Sequence, residues 1–216
     1  LKARDDVGAR EAFSRAGEIA LALTIPCAVA LIIIPLPLVS VLFERGQATA
    51  DDSAAIAMAV AIYGLGLPAF VLQKLQQPLF FAREDTKSPF RYALWAMAVN
   101  AVIAIGLSRM IGWIAPAIAT TLAAWLMVAL LHRGARNMGD VARFDARFRR
   151  RIWRICLVSV VMGVELWAAT LLLGPALGTP GWRYLALTAL ILSGTLTYFA
   201  LGFAIKAFQP SDFRRK

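Results

Sequence analysis

Residues 110–132, MIGWIAPAIATTLAAWLMVALLH, form a stretch of 23 positions without a charged side chain. An α-helix of this length is about 35 Å long, slightly more than the hydrocarbon core of a bilayer, which is about 30 Å thick. A membrane β-barrel would instead show short segments of alternating polarity, which this stretch does not have. The stretch therefore predicts a transmembrane helix.

The same pattern recurs outward along the chain. With this stretch (111–132) included, mostly uncharged runs predict six spans, at approximately 17–43, 53–75, 91–109, 111–132, 152–174 and 183–206. Apolar residues make up 60% of the chain and charged residues only 17%, against about 25% charged in ordinary soluble domains. This composition excludes disorder, and two cysteines inside apolar runs exclude a disulfide-stapled module. The predicted fold class is an all-α membrane protein with six transmembrane helices.

The basic residues predict how these spans are oriented. Of the 23 lysines and arginines, 20 lie before span 1, between spans 2 and 3, between spans 4 and 5, or after span 6, including four at the adjoining span ends. The other side holds only Arg45, Arg109 and Arg183. Because cytoplasmic loops carry the excess of basic residues, both ends of the chain are predicted to be cytoplasmic. The net charge of +10 then indicates contact with anionic membrane lipids and needs no nucleic acid as a partner.

The segment 133–151 is a basic loop on the predicted cytoplasmic side. Within and just after it, Val141, Phe144, Phe148 and Ile152 recur at three- and four-residue intervals. This spacing is typical of a short helix that lies on the membrane surface. A solvated connector with two isolated aromatic residues explains the same pattern equally well.

Helix-breaking and polar residues inside the spans are candidates for function. Pro26, Pro35 and Pro68 predict kinks, which serve either as hinges or as fixed bends of a static bundle. Glu165 and Asn100 are polar groups in otherwise apolar spans, where an unpaired carboxylate is costly. Glu165 either faces a wet cavity or is a neutral carboxyl group bonded to a neighbouring helix. Asn100 is predicted to bond to a neighbouring helix.

Two helix ends can be predicted from local sequence. Thr49 and Asp52 have the spacing of a capping box at the start of span 2, where an aspartate or Ser53 could also cap the helix. Residues 81–89, with their dense charge and closing proline, predict a tight turn between spans 2 and 3. The acid and base residues of this turn are explained by solvation and capping when each is taken alone.

The sequence lacks the residue clusters of a soluble active site. His132 is the only histidine, and no His or Cys cluster with metal-ligand spacing and no glycine-rich phosphate loop is present. We therefore predict that the chain is not an enzyme and uses no cofactor. It opens at Leu1 with a polar stretch that lacks the features of a signal peptide, and we interpret it as a piece of a longer protein.

Four motifs bring a family resemblance. They are LFERG at 42–46, GLGLPAF at 64–70, FAREDTKSP at 81–89 and AIATTLAAW at 117–125. Together they resemble the MurJ/MviN lipid II flippases of the bacterial inner membrane. The resemblance implies a transporter of fourteen helices in the multidrug, oligosaccharidyl-lipid and polysaccharide exporter superfamily, of which this chain would supply helices nine to fourteen, the C-terminal lobe.

The resemblance also implies roles for parts of the chain. In such proteins two lobes enclose a cavity that opens alternately to cytoplasm and periplasm, and the cationic residues that hold the lipid pyrophosphate lie mostly in the first lobe. The last two helices, spans 5 and 6 here, are expected to form an apolar groove for the polyprenyl tail, with Glu165 as a polar site beside it. Arg83, Asp85 and Lys87 are expected to act as a cytoplasmic gate or brace.

Three hypotheses about function follow. The first is the C-terminal lobe of a lipid II flippase, with lipid II and the N-terminal helices of the same protein as partners. The second is an exporter of another lipid-linked oligosaccharide. The third is a membrane scaffold that transports nothing.

Overall fold

Long α-helices make up most of the chain. The structure is a computed structural model that describes residues 2–44, 49–139, 142, 144–179 and 181–207. In these ranges the chain forms α1 (Lys2–Ile33), α2 (Pro35–Phe43), α3 (Ala50–Phe81), α4 (Lys87–Ile111), α5 (Ala115–Ala135), α6 (Ala146–Leu177) and α7 (Arg183–Ala204). No β-strand occurs in these ranges, which confirms the predicted all-helical fold class.

In the part of the chain that the structure describes, five helical segments are long and apolar enough to cross a membrane. The longest, Lys87–Ala135, has 49 residues and as one helix would be about 74 Å long, more than twice the thickness of the hydrocarbon core. It is divided at Gly112, whose φ of 59° lies in the left-handed region and ends α4. The chain continues through one turn of 3₁₀-helix into α5, which packs along α4. The described chain therefore contains six helices of spanning length.

The first predicted span is not one continuous helix. α1 ends at Ile33, Ile34 has a non-helical ψ of 39°, and Pro35 is the first residue of α2. Proline is well suited to this position because its missing N–H would have had no partner in the first turn of a helix. Pro26 and Pro68, in contrast, lie inside α1 and α3.

The start of α3 shows the capping box that the sequence predicted. The Oδ2 atom of Asp52 accepts a hydrogen bond from the backbone N–H of Thr49, at 3.0 Å. In return the hydroxyl oxygen of Thr49 accepts one from the backbone N–H of Asp52, at 3.2 Å. The two residues thus satisfy each other's unpaired backbone donors. Arg45 and Gly46, from the motif just before this cap, lie outside the described residues.

Contacts divide the chain into two compact units. Unit 1 comprises residues 1–24 and 65–150, and unit 2 comprises residues 25–64 and 151–216. In unit 1 the second half of α3 packs with α4 and α5 around Phe80, Met127 and Leu131. Ala69 and Ala124, almost fully buried, allow α3 and α5 to approach closely.

Unit 2 is packed through glycines. A Cβ atom on Gly163 of α6 would lie 2.8 Å from the Cγ1 atom of Val29 in α1, and one on Gly194 of α7 would lie 2.7 Å from the Cδ2 atom of Leu166. Contacts this short mean that any side chain at either glycine would force its neighbour to shift. The helices of unit 2 therefore approach more closely than larger residues would permit.

The end of the segment 133–151, for which the sequence allowed a surface helix or a solvated connector, belongs to the long helix α6. α6 already begins at Ala146, so the last residues of the segment form the first turns of that long helix. Phe144 and Phe148 stack on each other, with ring centroids 3.9 Å apart, and belong to the packing of unit 1. Val141, the first residue of the predicted stripe, lies outside the described residues.

Candidate functional site

The turn between α3 and α4 carries the predicted brace residues. It is closed by two hydrogen bonds, from the N–H of Glu84 to the carbonyl oxygen of Phe81 (3.0 Å) and from the N–H of Asp85 to that of Phe80 (3.1 Å). This is the Schellman pattern, which requires a left-handed residue at the position of Glu84. Glu84 adopts it with φ 58° although glycine is the usual residue there. The backbone of the turn is therefore fixed by local hydrogen bonds.

Asp85 joins this turn to α4. Its Oδ1 atom accepts a hydrogen bond from the backbone N–H of Ser88, at 2.9 Å, and so caps the helix. Hydrogen bonds from the side chain and backbone of Ser88 stabilise the carboxylate and hold the pKa of Asp85 below its ordinary value. Asp85 is therefore a charged cap at neutral pH.

Arg83 and Lys87 play different parts in the same turn. The guanidinium group of Arg83 donates a hydrogen bond to the carbonyl oxygen of Met138, in the short 3₁₀ turn that follows α5. This contact ties the α3–α4 turn to the end of α5 within unit 1. Lys87, the first residue of α4, is exposed and interacts electrostatically with Asp85. The structure thus brings the three predicted residues together.

A second contact, which sequence reasoning missed, joins α1 to the start of α6. Glu18 is 4% exposed, and its two carboxylate oxygens accept hydrogen bonds from Nε and Nη2 of Arg147, each at 3.2 Å. Nearby, the hydroxyl oxygen of Ser14 accepts a hydrogen bond from the backbone N–H of Asp145, at 3.3 Å. We name the Glu18–Arg147 and Ser14–Asp145 contacts the α1–α6 clasp.

Aromatic rings complete the clasp. Phe13 stacks on Phe144 with ring centroids 4.8 Å apart, and Phe144 stacks on Phe148. Gly17 makes room for them, since a Cβ atom there would lie 2.9 Å from the ring of Phe148. The signal available in the sequence was an acid, Glu18, at the start of an apolar run. Its partner could not be identified because it lies 129 residues away along the chain.

Unit 2 contains an apolar cavity of about 350 Å³. It is lined by residues of the end of α1 and the middle of α6: Val29, Ile32, Ile33, Val160, Gly163, Val164 and Trp167. Apart from the indole N–H of Trp167, none of these side chains has a polar group, so the cavity suits a hydrocarbon group rather than a polar ligand. The resemblance led us to expect a groove between spans 5 and 6, whereas this cavity lies between helices of spans 1 and 5.

Glu165 and Asn100 are not part of this cavity. Glu165 follows Val164 on α6, but consecutive helical residues point about 100° apart, and it is not among the lining residues. It is half-buried, and its Oε2 atom is buried without a hydrogen-bond partner in the described residues. Asn100 is half-buried on α4, and we find no hydrogen bond from its side chain to another described residue.

Two of the three predicted hinge prolines, Pro26 and Pro68, lie near the points where the two units divide along the chain. The divisions fall after Thr24 in α1, two residues before Pro26, and after Gly64 in α3, four residues before Pro68. Pro68 has no N–H, so the carbonyl oxygen of Gly64 lacks its helical hydrogen bond. The next carbonyl oxygen, that of Leu65, accepts a hydrogen bond from Nε1 of Trp125 in α5, at 3.0 Å.

No metal site is evident in the described ranges. There, no three His, Cys, Asp or Glu side chains are grouped so that they could hold a metal ion.

Comparisons with known proteins agree with this architecture. The family model described as "Lipid II flippase MurJ" matches residues 1–193. A probable lipid II flippase MurJ of Rhizobium meliloti (strain 1021) is 37% identical over 205 residues, which cover 94% of this chain and 38% of the relative. Another, of Vibrio cholerae, is 33% identical over 183 residues, which cover 83% of this chain and 34% of the relative.

Solved structures show the same fold. A lipid II flippase MurJ in an inward closed conformation matches with a TM-score of 0.77 and 23% sequence identity, over 94% of this chain and 40% of that chain. The chain therefore spans about two fifths of the length of the proteins it matches, 38% in the Rhizobium meliloti relative.

Proposed function

The chain belongs to the lipid II flippase MurJ family, and from this membership we propose that it forms the C-terminal lobe of a lipid II flippase. The protein would move this peptidoglycan precursor from the cytoplasmic to the periplasmic leaflet of the bacterial inner membrane, by alternating access, for cell-wall synthesis. The match over residues 1–193 carries the proposal.

The apolar cavity of unit 2 fits one part of this task. Moving a pyrophosphate and sugar hydroxyls through hydrocarbon requires a polar path, because their desolvation is costly. The polyprenyl tail of such a lipid needs an apolar surface instead. We assign the tail to the cavity of Val29, Val160 and Val164, and the cationic contacts with the pyrophosphate to helices outside this chain.

Alternating access requires helices that bend. We propose that α1 and α3 bend at Pro26 and Pro68, where proline interrupts the helical hydrogen bonds. The turn of Arg83, Asp85 and Lys87 then serves as a brace within unit 1, on the cytoplasmic side together with both ends of the chain. Its two side-chain hydrogen bonds, to Met138 and Ser88, support a fixed turn rather than a gate.

A flipping assay with a cavity-filling variant tests this function. The full-length protein that carries this sequence is reconstituted in liposomes, and the movement of a fluorescent lipid II analogue between leaflets is measured. We expect activity, and we expect Gly163→Leu to reduce it at least tenfold, because a side chain there enters the space between Val29 and α6. Gly106→Leu is the matched control, since no atom lies within 4 Å of a Cβ atom at Gly106.

Complementation of a strain depleted of its own lipid II flippase identifies the substrate. Rescue of growth supports lipid II. Failure to rescue, combined with movement of a different lipid-linked oligosaccharide in liposomes, would indicate another exporter of the same superfamily. A protein that folds and inserts but moves neither lipid would contradict transport altogether.

A further inference from the structure

One face of α4 combines basic and aromatic residues at its start. Four residues follow Lys87 at helical spacings of three, four, seven and eight residues and therefore share a face with it. They are Phe90, Arg91, Leu94 and Trp95. All of them are exposed, and Phe90 and Trp95 are each 64% exposed. We name these residues the α4 basic-aromatic face.

The packing of unit 1 uses the opposite side of α4. Pro89 and Ala96 are buried, and the Tyr92 ring packs edge-on against Phe80 with centroids 6.2 Å apart. Tyr92 also covers Gly134 of α5. The α4 basic-aromatic face is therefore left uncovered by the helices that hold α4 in place.

The position of the charges along α4 sets their depth in a membrane. No charged residue lies between Arg91 and Arg109, which are separated by about 27 Å of helix. This distance is close to the hydrocarbon thickness of about 30 Å, so both arginines lie near the headgroups of opposite leaflets. Trp95, one turn inside Arg91, then lies at the interface depth that tryptophan favours.

The charge of this face is available for a ligand. Arg91 has no hydrogen bond or ion pair with another described residue. The carboxylate of Asp85, which interacts electrostatically with Lys87, already accepts a hydrogen bond from Ser88. Two cations one helical turn apart therefore lie next to exposed apolar side chains at the membrane boundary. A phosphate with attached acyl chains has the complementary pattern of charge and apolar surface.

We propose that the α4 basic-aromatic face is a binding site for an anionic phospholipid of the cytoplasmic leaflet. Lys87 and Arg91 bind the headgroup phosphate, and Phe90, Leu94 and Trp95 contact the acyl chains. The site depends on α4 crossing the bilayer and not on the transported substrate. A protein that fails to move lipid II can therefore still show it.

Tryptophan quenching by brominated lipids tests the site. The full-length protein is reconstituted in mixtures of phosphatidylglycerol and phosphatidylcholine, with bromine on either one or the other. The signal of Trp95 is isolated as the difference between the parent protein and Trp95→Phe. From the ratio of Trp95 quenching by brominated phosphatidylglycerol to that by brominated phosphatidylcholine, we expect at least a fivefold preference for phosphatidylglycerol at this position. The double variant Lys87→Gln/Arg91→Gln should reduce the preference to about one, since each cation near a lipid surface contributes roughly fivefold.

Arg109→Gln is the matched control, because it removes an arginine from the other end of the same helix. We expect the preference at Trp95 to be unchanged by it. Equal quenching by the two lipids in the parent protein would mean an ordinary lipid contact and would overturn the proposal. An equal loss of preference in Arg109→Gln would also overturn it, because binding would then follow net charge rather than this face.

Discussion

Units 1 and 2 differ in where side chains bond to the backbone of a neighbouring helix. In unit 1, side chains reach the backbone of a neighbouring helix: Trp125 bonds to Leu65, and Nε2 of Gln73 donates to the carbonyl oxygen of Ala124 at 2.9 Å. In unit 2, the close contacts we describe are made by Gly163 and Gly194 against aliphatic side chains. Hydrogen bonds fix the register of two helices, whereas glycine contacts fix only how closely they approach. The interhelical side-chain bonds that we find in unit 2, from Arg154 to the carbonyl oxygen of Lys206 and from Arg183 to that of Glu44, lie at or just beyond helix ends.

The largest change in the free energy of unfolding is expected at the α1–α6 clasp of unit 1. Arg147→Ala removes the guanidinium group that bonds to the buried carboxylate of Glu18, and we expect the free energy of unfolding in detergent to fall by about 2–3 kcal/mol. Arg149→Ala, an exposed arginine two residues later, should change the free energy of unfolding by less than about 0.5 kcal/mol. Equal losses in both variants would show that the clasp does not stabilise unit 1.

Filling a glycine contact tests the packing of unit 2. Gly194→Leu places a side chain where even a Cβ atom would lie 2.7 Å from Leu166, so we expect a loss of about 2 kcal/mol. Gly106→Leu makes the same change where space is open and should be neutral or slightly stabilising, because leucine favours helix over glycine. The measurement is the midpoint of unfolding in detergent. A neutral Gly194→Leu would contradict close packing of α6 and α7.

A smaller effect is expected when one interhelical hydrogen bond is removed. Trp125→Phe keeps the aromatic ring but loses the N–H that bonds to Leu65, and should cost about 1 kcal/mol. The same substitution at Trp113, which is 58% exposed, serves as control and should cost less. If the two substitutions have the same effect on the unfolding midpoint, the hydrogen bond does not stabilise unit 1.

The smallest effect is a pH dependence at Asp85. Because its pKa is lowered in the folded state, the charged carboxylate stabilises the fold fully above its ordinary pKa of about 4, and this contribution is lost as the pH falls through the lower folded value. The difference in melting temperature between the parent protein and Asp85→Asn should therefore shrink between pH 5 and pH 3. Ser88→Ala removes the hydroxyl group that stabilises the Asp85 carboxylate, so the loss of the melting-temperature difference should occur at higher pH. A difference that does not vary with pH would be inconsistent with the cap.

The sequence predicts local features of this fold well and distant contacts poorly. The charge-free runs predicted the helices, and the spacing of Thr49 and Asp52 predicted a capping box that the structure confirms. Both depend on residues close together in the chain. The partner of Glu18 depends on how the helices pack. The position of the cavity depends on which helices are neighbours, so neither feature could be predicted from residue spacing. Glu165 was singled out by its charge, but its direction on α6 depends on the same packing.

The 129 residues between Glu18 and Arg147 also set an order of assembly. The α3–α4 turn closes on itself as soon as it is synthesised, because its hydrogen bonds join residues at most five apart. Glu18, by contrast, has to remain without Arg147 until the ribosome has added the start of α6, which takes roughly 6–26 s at typical rates of translation. Completion of unit 1 is therefore a late event, because α3, α4 and α5 are all made before the contact between Glu18 and Arg147 can form.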